Sequence, residues 1–218
     1  MTIQYSNARW NEKKVVIGET AMRATGPIHL IIGFHGAEST PENMLVYGNK
    51  LELTNALTVY PEGPVDAGEG LWSWWQDGPR QTESVTAFLH YTSQMLEAAH
   101  GHAGRIFSGK PVRTSLWGFS QGGAAALVYA LLGSHPLHKV ASVCGFLPEM
   151  PDAASSRPNA PSILGLFGTD DEVVPAFLAE HALEEMKNRG HQVTAKEIRQ
   201  GHQITAENLE AISAFFNS

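Results

Sequence analysis

The pentapeptide Gly118-Phe119-Ser120-Gln121-Gly122 constrains this chain more than any other stretch. A strand-like run, residues 112–117, precedes it, and a helix-like run, residues 123–132, follows. The backbone must pass from strand to helix within a few residues, with Ser120 at the apex of a strained turn. Glycines two positions to either side let the backbone pass without Cβ collisions and leave the hydroxyl standing clear of the sheet edge. The helix start behind Ser120 offers unpaired N–H groups and a positive dipole end, a setting that favours a developing oxyanion. Gly and Ser are common residues, so the five letters alone are a weak signal. Their placement between a buried-strand pattern and an Ala-rich helix is what makes Ser120 a candidate nucleophile.

The same alternation runs along the whole chain. Residues 13–17 read as a short strand and 28–34 as a buried strand, followed by a turn-rich loop over 35–40. A helix comes next, with Thr40 as N-cap, Pro41 at its first position, and Glu42 and Glu52 facing water. Residues 57–60 read as a strand ended by Pro61, and 61–79 as a long Gly/Pro loop holding Trp72, Trp74 and Trp75. Val85, Phe88, Leu89, Thr92, Leu96 and Ala99 recur at helical spacing over 83–99. Residues 139–143, 162–167 and 192–198 read as strands, 175–188 and 205–216 as helices, and 148–161 as a polar loop. Repeated strand–helix alternation predicts an α/β fold: a mostly parallel central sheet with helices on both faces. No repeat, low-complexity tract or boundary divides residues 1–218, so one domain is expected.

Charge and composition narrow the function classes. A formal charge of -7 argues against a nucleic-acid partner, because phosphate binding needs a basic surface. No basic amphipathic stretch suggests membrane docking, and the longest apolar run, residues 124–132, is too short to span a bilayer. The first ten residues have neither a basic stretch nor an apolar core of signal-peptide kind. The single cysteine, Cys144, precludes an internal disulfide and fits a reducing compartment, so a cytoplasmic location is expected.

A serine alcohol needs a histidine base, and the histidine needs an acid that fixes its tautomer and stabilises its charged form. In a fold of this kind the chain order is Ser, then Asp or Glu, then His. Such residues sit beyond the C-terminal ends of strands, where the loops gather. The loop after strand 162–167 supplies three acids, Asp170, Asp171 and Glu172; the spacing alone leaves Asp170 and Asp171 as rivals, with Glu172 facing water. The loop after strand 192–198 supplies His202, the only one of ten histidines that follows the acids and lies directly beyond a strand end. His181 and His191 read as surface residues. Two N–H donors are needed for an oxyanion hole. Gln121, directly after the serine, offers one, and Ala37, in the loop after strand 28–34, offers the other, with His35 bracing that loop.

These pieces resemble the phospholipase/carboxylesterase family of α/β-hydrolases, the group of acyl-protein thioesterases and small carboxylesterases. The matching residues are Phe34-His35-Gly36, Tyr60-Pro61, residues 74–77, 118–123, 145–148 and 168–175, and Gly201-His202. They stand in family order over almost the whole chain. The resemblance implies a single α/β-hydrolase domain and a catalytic triad of Ser120, Asp171 and His202. The spacing Gly-x-x-Asp-x-x-Val-Pro over residues 168–175 is what assigns the acid to Asp171. The resemblance also implies oxyanion donors at Ala37 and Gln121, and a substrate-facing Trp74.

Phe146 and Leu147, on the loop after strand 139–143, are expected to line the same pocket. The tryptophan-rich loop is open to two readings, pocket wall or anchor to the core. The chain departs from the family at Ala37-Glu38-Ser39, at Cys144, where a serine is usual, and in the weight of tryptophan at 72–75. These positions are expected to border the acyl and alcohol pockets. Cys144 itself reads as a small buried residue. His100 and His102 resemble a metal pair, but a helix end attracts histidine through its dipole and no third ligand is evident. No metal or cofactor is implied.

The expected activity is hydrolysis of small-molecule carboxylic esters or thioesters through an acyl-enzyme. The alternatives are a triad aimed at a lactone, peptide or C–C bond, or a ligand-binding protein that keeps the fold. Families of this kind often pair as homodimers, and no exposed stripe here marks a dimer face.

Overall fold

The uncharged runs of the sequence become the middle of a sheet. The computed structural model describes residues 3–20, 26–107, 109–151 and 160–218. Its strands are β1 (Gln4–Trp10), β2 (Lys13–Glu19), β3 (Ile28–Phe34), β4 (Ala56–Pro61), β5 (Val65–Gly68), β6 (Leu71–Ser73), β7 (Val112–Phe119), β8 (Lys139–Val143), β9 (Ser162–Gly168) and β10 (Val193–Ile198). Its helices are α1 (Pro41–Gly48), α2 (Gln81–Ile106), α3 (Gln121–Leu132), α4 (Ala176–Asn188) and α5 (Ala206–Asn217). Eight strands form one sheet in the order β1-β2-β4-β3-β7-β8-β9-β10. β1, β2 and β4 pair antiparallel, and every pairing from β4 through β3 to β10 is parallel.

Each buried strand feeds two cores, because successive side chains leave a strand on opposite faces. In β3, Ile28, Leu30, Ile32 and Phe34 face one core and Ile31 the other. The first core holds the buried faces of α2, α3 and α4; the second holds Met44 of α1 and Leu209, Ile212 and Phe216 of α5. α3 is the most enclosed helix, buried from Gln121 to Leu131. Its run of glycine and alanine lets it lie close against β7 and β8.

Several boundaries differ from the sequence reading. β1 pairs with β2 across Asn11 and Glu12, both at positive φ (49° and 67°). That is the backbone of a two-residue hairpin turn, but without the glycine that normally announces one. The hairpin β5–β6 lies in the stretch expected to be loop. It is short, acidic and glycine-turned, with Gly68 and Gly70 at positive φ, so it shows no alternation of apolar residues. α2 continues beyond 99 through Gly101 and Gly104, because Ala103 extends its buried stripe and packing overrides glycine's poor helix propensity. Thr40 caps α1 by accepting from the Asn43 N–H at 3.3 Å. α1 ends at Gly48, so the exposed Glu52 lies beyond it. Pro61 closes β4 from within, as its last residue. The polar loop expected over 148–161 lies mostly outside the described residues. No helix among the described residues is long and apolar enough to cross a membrane.

The chain runs from β3 to β4 on one side and then crosses to β7 on the other. The loops after β3 and β7 therefore diverge at their C-terminal ends and leave a crevice. That is the topological switch point at which open α/β sheets bind their ligands.

Candidate active site

Ser120 occupies the turn between β7 and α3 with φ 55° and ψ −122°. A non-glycine residue there carries strain of about 1–3 kcal/mol, which the surroundings must hold in place. They do so on both sides. The Ser120 N–H donates to the Val143 carbonyl at 2.9 Å, and the Ala124 N–H donates to the Ser120 carbonyl at 2.9 Å. A Cβ on Gly118 would collide with the Gly122 carbonyl, and one on Gly122 with the Phe34 and His35 carbonyl oxygens. The glycines are thus required by close backbone approach: α3 starts hard against the end of β3.

His202 lies on the loop after β10 and Asp171 on the loop after β9. His202 Nε2 stands 2.9 Å from Ser120 Oγ, and His202 Nδ1 stands 2.8 Å from Asp171 Oδ2. A carboxylate only accepts, so Nδ1 carries the hydrogen and the Nε2 lone pair faces the serine hydroxyl. Phe119 lies against the imidazole, with ring centroids 4.8 Å apart. Asp171 is buried, and its other oxygen accepts from the Val173 and Val174 N–H groups at 2.9 and 2.8 Å. Burial alone would raise its pKa. The Val174 N–H, the hydrogen bond from His202, the neighbouring Cys144 thiol and the nearby His202 charge outweigh that and lower it. Its rival Asp170 is exposed, accepts from the Thr169 hydroxyl, and lies 3.7 Å from Arg199. Glu172 is exposed.

A Cβ at Gly36 would stand 3.8 Å from that of Ser120, so the loop after β3 lies directly beside the hydroxyl. Ala37, the next residue, lines the same cavity. Gln121 opens α3, where the first N–H groups have no partner within the helix. Its side chain does a separate job: Oε1 accepts from the Trp74 N–H at 2.9 Å, and Nε2 donates to the Trp75 carbonyl at 3.1 Å.

Those bonds decide between the readings of the tryptophan loop. Trp74 and Trp75 are buried, and Trp74 Nε1 donates to the His35 carbonyl at 2.7 Å. Trp74 packs on Phe34 and His35, with centroids 4.7 Å away in each case. The expected substrate-facing Trp74 is therefore corrected: it is an anchor behind the site. A large amphipathic ring in a long loop is held by the core it can fill. Trp72 is half-buried, paired through its backbone to Ser39 and lying under the Lys13 ammonium. Phe146 and Leu147 stand on the loop after β8. Both are half-buried, pack against the first core, and do not line the cavity around Ser120.

That cavity measures about 560 Å³. Beyond Ser120, His202 and the loop after β3, its walls are Asn43, Met44, Val46 and Tyr47 of α1, with Phe119 and Val173. Sequence reasoning missed these walls; Val46 and Val173 are exposed apolar residues, visible in the sequence only as unremarkable loop and helix positions. A neighbouring cavity of about 620 Å³ between α1 and α5 shares only Tyr47 with it and holds none of Ser120, Asp171 and His202.

His35 is buried, and its Nδ1–H donates to the Gly36 carbonyl at 2.7 Å, which braces the loop as expected. Burial lowers its pKa to about 4, although the Gly36 bond and the Glu42 charge pull the other way. His191, expected at the surface, is buried with Nδ1 donating to the Pro161 carbonyl at 3.0 Å. His100 and His102 turn to different partners, the Thr114 hydroxyl and the Trp10 ring. Among the described residues, a group with metal-ligand chemistry is Cys144, Asp171 and His202, whose donor atoms lie within 4.8 Å of one another. Its geometry fits a metal poorly. The carboxylate and imidazole bond directly to each other, and burial, with Asp171 beside it, pushes the Cys144 thiol up to about 12.

A parallel sheet with helices on both faces, and a serine turn at its switch point, define an α/β-hydrolase. A family model, Phospholipase/Carboxylesterase, matches residues 19–218, and the chain belongs to that family. Among solved structures it is similar to esterase PE8, with 23% identity, TM-score 0.68, and coverage of 90% of this chain and 95% of that one. It is similar also to acyl-protein thioesterase 2 of Zea mays, at 17% identity, TM-score 0.66, and 93% and 97% coverage. A carboxylesterase from Mesorhizobium loti superposes with TM-score 0.79 at 14% identity, over 97% and 98% of the two chains. At these identities the likeness is one of fold. Comparison with curated protein sequences finds no significant match.

Proposed function

We propose that the protein is a serine carboxylesterase or thioesterase with Ser120 as nucleophile, His202 as base and Asp171 as the acid that orients it. The observation that carries this reading is the unbroken relay from Ser120 Oγ through both imidazole nitrogens to a buried carboxylate, at 2.9 and 2.8 Å. His202 takes the Ser120 proton as the hydroxyl attacks the acyl carbonyl. The Ala37 and Gln121 N–H groups stabilise the oxyanion. His202 then protonates the leaving alcohol or thiol, and the same base activates water to release the acid. Asp171 remains ionised throughout, which its lowered pKa supports. The substrates are small-molecule esters or thioesters with an apolar acyl group, since Met44, Val46, Phe119 and Val173 form much of the cavity wall.

The test is hydrolysis of p-nitrophenyl esters from acetyl to palmitoyl. Ser120→Ala should cost several orders of magnitude in kcat, and Asp171→Asn a similar loss. Asp170→Asn should leave turnover near wild type. Full activity in Ser120→Ala would end the proposal, and a protein inert to every ester and to a serine-reactive phosphonate would point to ligand binding instead.

A further inference from the structure

Cys144 sits one residue past β8, at a φ of 50° that few residues other than glycine adopt, and is wholly enclosed. Its N–H donates to the Leu166 carbonyl at 2.8 Å, which ties it to β9, the strand that delivers Asp171. Its sulfur lies within 4.8 Å of the facing ligand atoms of both Asp171 and His202. The Gln200 amide approaches it at 3.9 Å, and the same amide donates to the Gln203 carbonyl at 3.1 Å within the loop that carries His202. The thiol therefore stands where the acid loop and the base loop meet.

We propose that Cys144 is a positioning residue for Asp171: its S–H donates to the carboxylate and holds it in the orientation that meets His202 Nδ1. The chemistry of the surroundings supports this direction of bonding. A buried thiol beside a carboxylate stays protonated, and Cys144 is pushed up to about 12, so at working pH it has a hydrogen to give. The sulfur stands within 4.8 Å of the carboxylate oxygen, and the thiol beside it lowers the pKa of Asp171. The carboxylate thus receives Val173 and Val174 N–H on one oxygen and His202 on the other, with the Cys144 thiol close by at the end of β8. The titratable groups that face Asp171 are His202 and Cys144; its neighbours Asp170 and Glu172 are exposed, and Asp170 turns to Arg199. Cys144 does not touch the cavity around Ser120, so it acts through Asp171 alone. The sequence expectation that this position borders the acyl pocket is replaced by a place behind the acid.

This inference rests on the Ser120–His202–Asp171 reading. The experiment compares pH profiles of kcat/KM for wild type, Cys144→Ala and Cys144→Ser on one p-nitrophenyl ester, with Asp171→Asn alongside and thermal unfolding as the folding control. Alanine removes a donor, so Asp171 becomes more basic and holds the positive charge of His202 more strongly. The acid limb should then move to higher pH by about half a unit or more. Serine, a stronger donor, should return the limb to the wild-type position or below it. An acid limb that stays in place in Cys144→Ala, whatever happens to the plateau, overturns the inference and leaves Cys144 as packing. Retained activity in Asp171→Asn would instead overturn the reading on which it rests. Should alanine at 144 fail to fold, Cys144→Val supplies a donor-free side chain of closer volume, and the same limb is read.

Discussion

His35 shows what a single side chain costs and supplies here. It is locked neutral beneath Trp74, with a pKa lowered to about 4 against an unfolded value of about 6.5. The unfolded chain binds a proton between those values that the folded chain refuses. The stability tied to His35 is therefore complete above about pH 6.5 and falls as pH drops to about 4, by about 3 kcal/mol in all. Urea titrations at pH 7 and 4.5 should show a large loss in wild type and a visibly smaller one in His35→Asn. Asp171 acts in a lower window: its folded pKa is depressed, so its contribution is present above about pH 3.9 and lost below it. At this scale the sequence was informative where chemistry repeats by order, as for Ser120, Asp171 and His202. It gave Cys144 only as a small buried residue and turned Trp74 toward the substrate, because the partners of both lie on other segments and are chosen by packing. A thiol or an indole reads the same whether it faces a substrate or a carbonyl.

Among the elements, the start of α3 is the most tightly specified. Gly122 allows α3 to touch the last carbonyls of β3, the same segment that turns into the loop of Ala37. Gly122→Ala should cost about 1–3 kcal/mol of stability through overpacking. It should reduce kcat more than that stability loss suggests, because it pushes apart the two N–H groups meant for the oxyanion. Chemical denaturation and steady-state kinetics on the same sample separate the two effects. α2 was legible from its apolar spacing and β3 from its continuous apolar run. β1 and the β5–β6 hairpin were not. A solvent-facing edge strand and a short acidic hairpin bury too little to leave a pattern, and the Asn11-Glu12 turn adopts positive φ without a glycine to signal it.

Across the whole molecule, two exposed apolar residues meet at the mouth of the cavity around Ser120. Val46 and Val173 are 57% and 67% exposed and line the cavity around Ser120. Because each methylene withdrawn from water contributes about 0.8 kcal/mol, this rim should favour longer acyl chains. Val173→Asp should lower kcat/KM for a decanoyl ester by about tenfold relative to the acetyl ester. An unchanged ratio would mean the chain leaves by another wall. The order of the sheet has a further consequence. Ser120 hangs on β7, zipped between neighbours in the interior, while His202 hangs on β10, the outermost strand, whose middle residues face water. Local unfolding begins at such margins. A brief opening there parts His202 from Ser120 and leaves the rest intact, so the proposed relay can be broken in a molecule that is still folded.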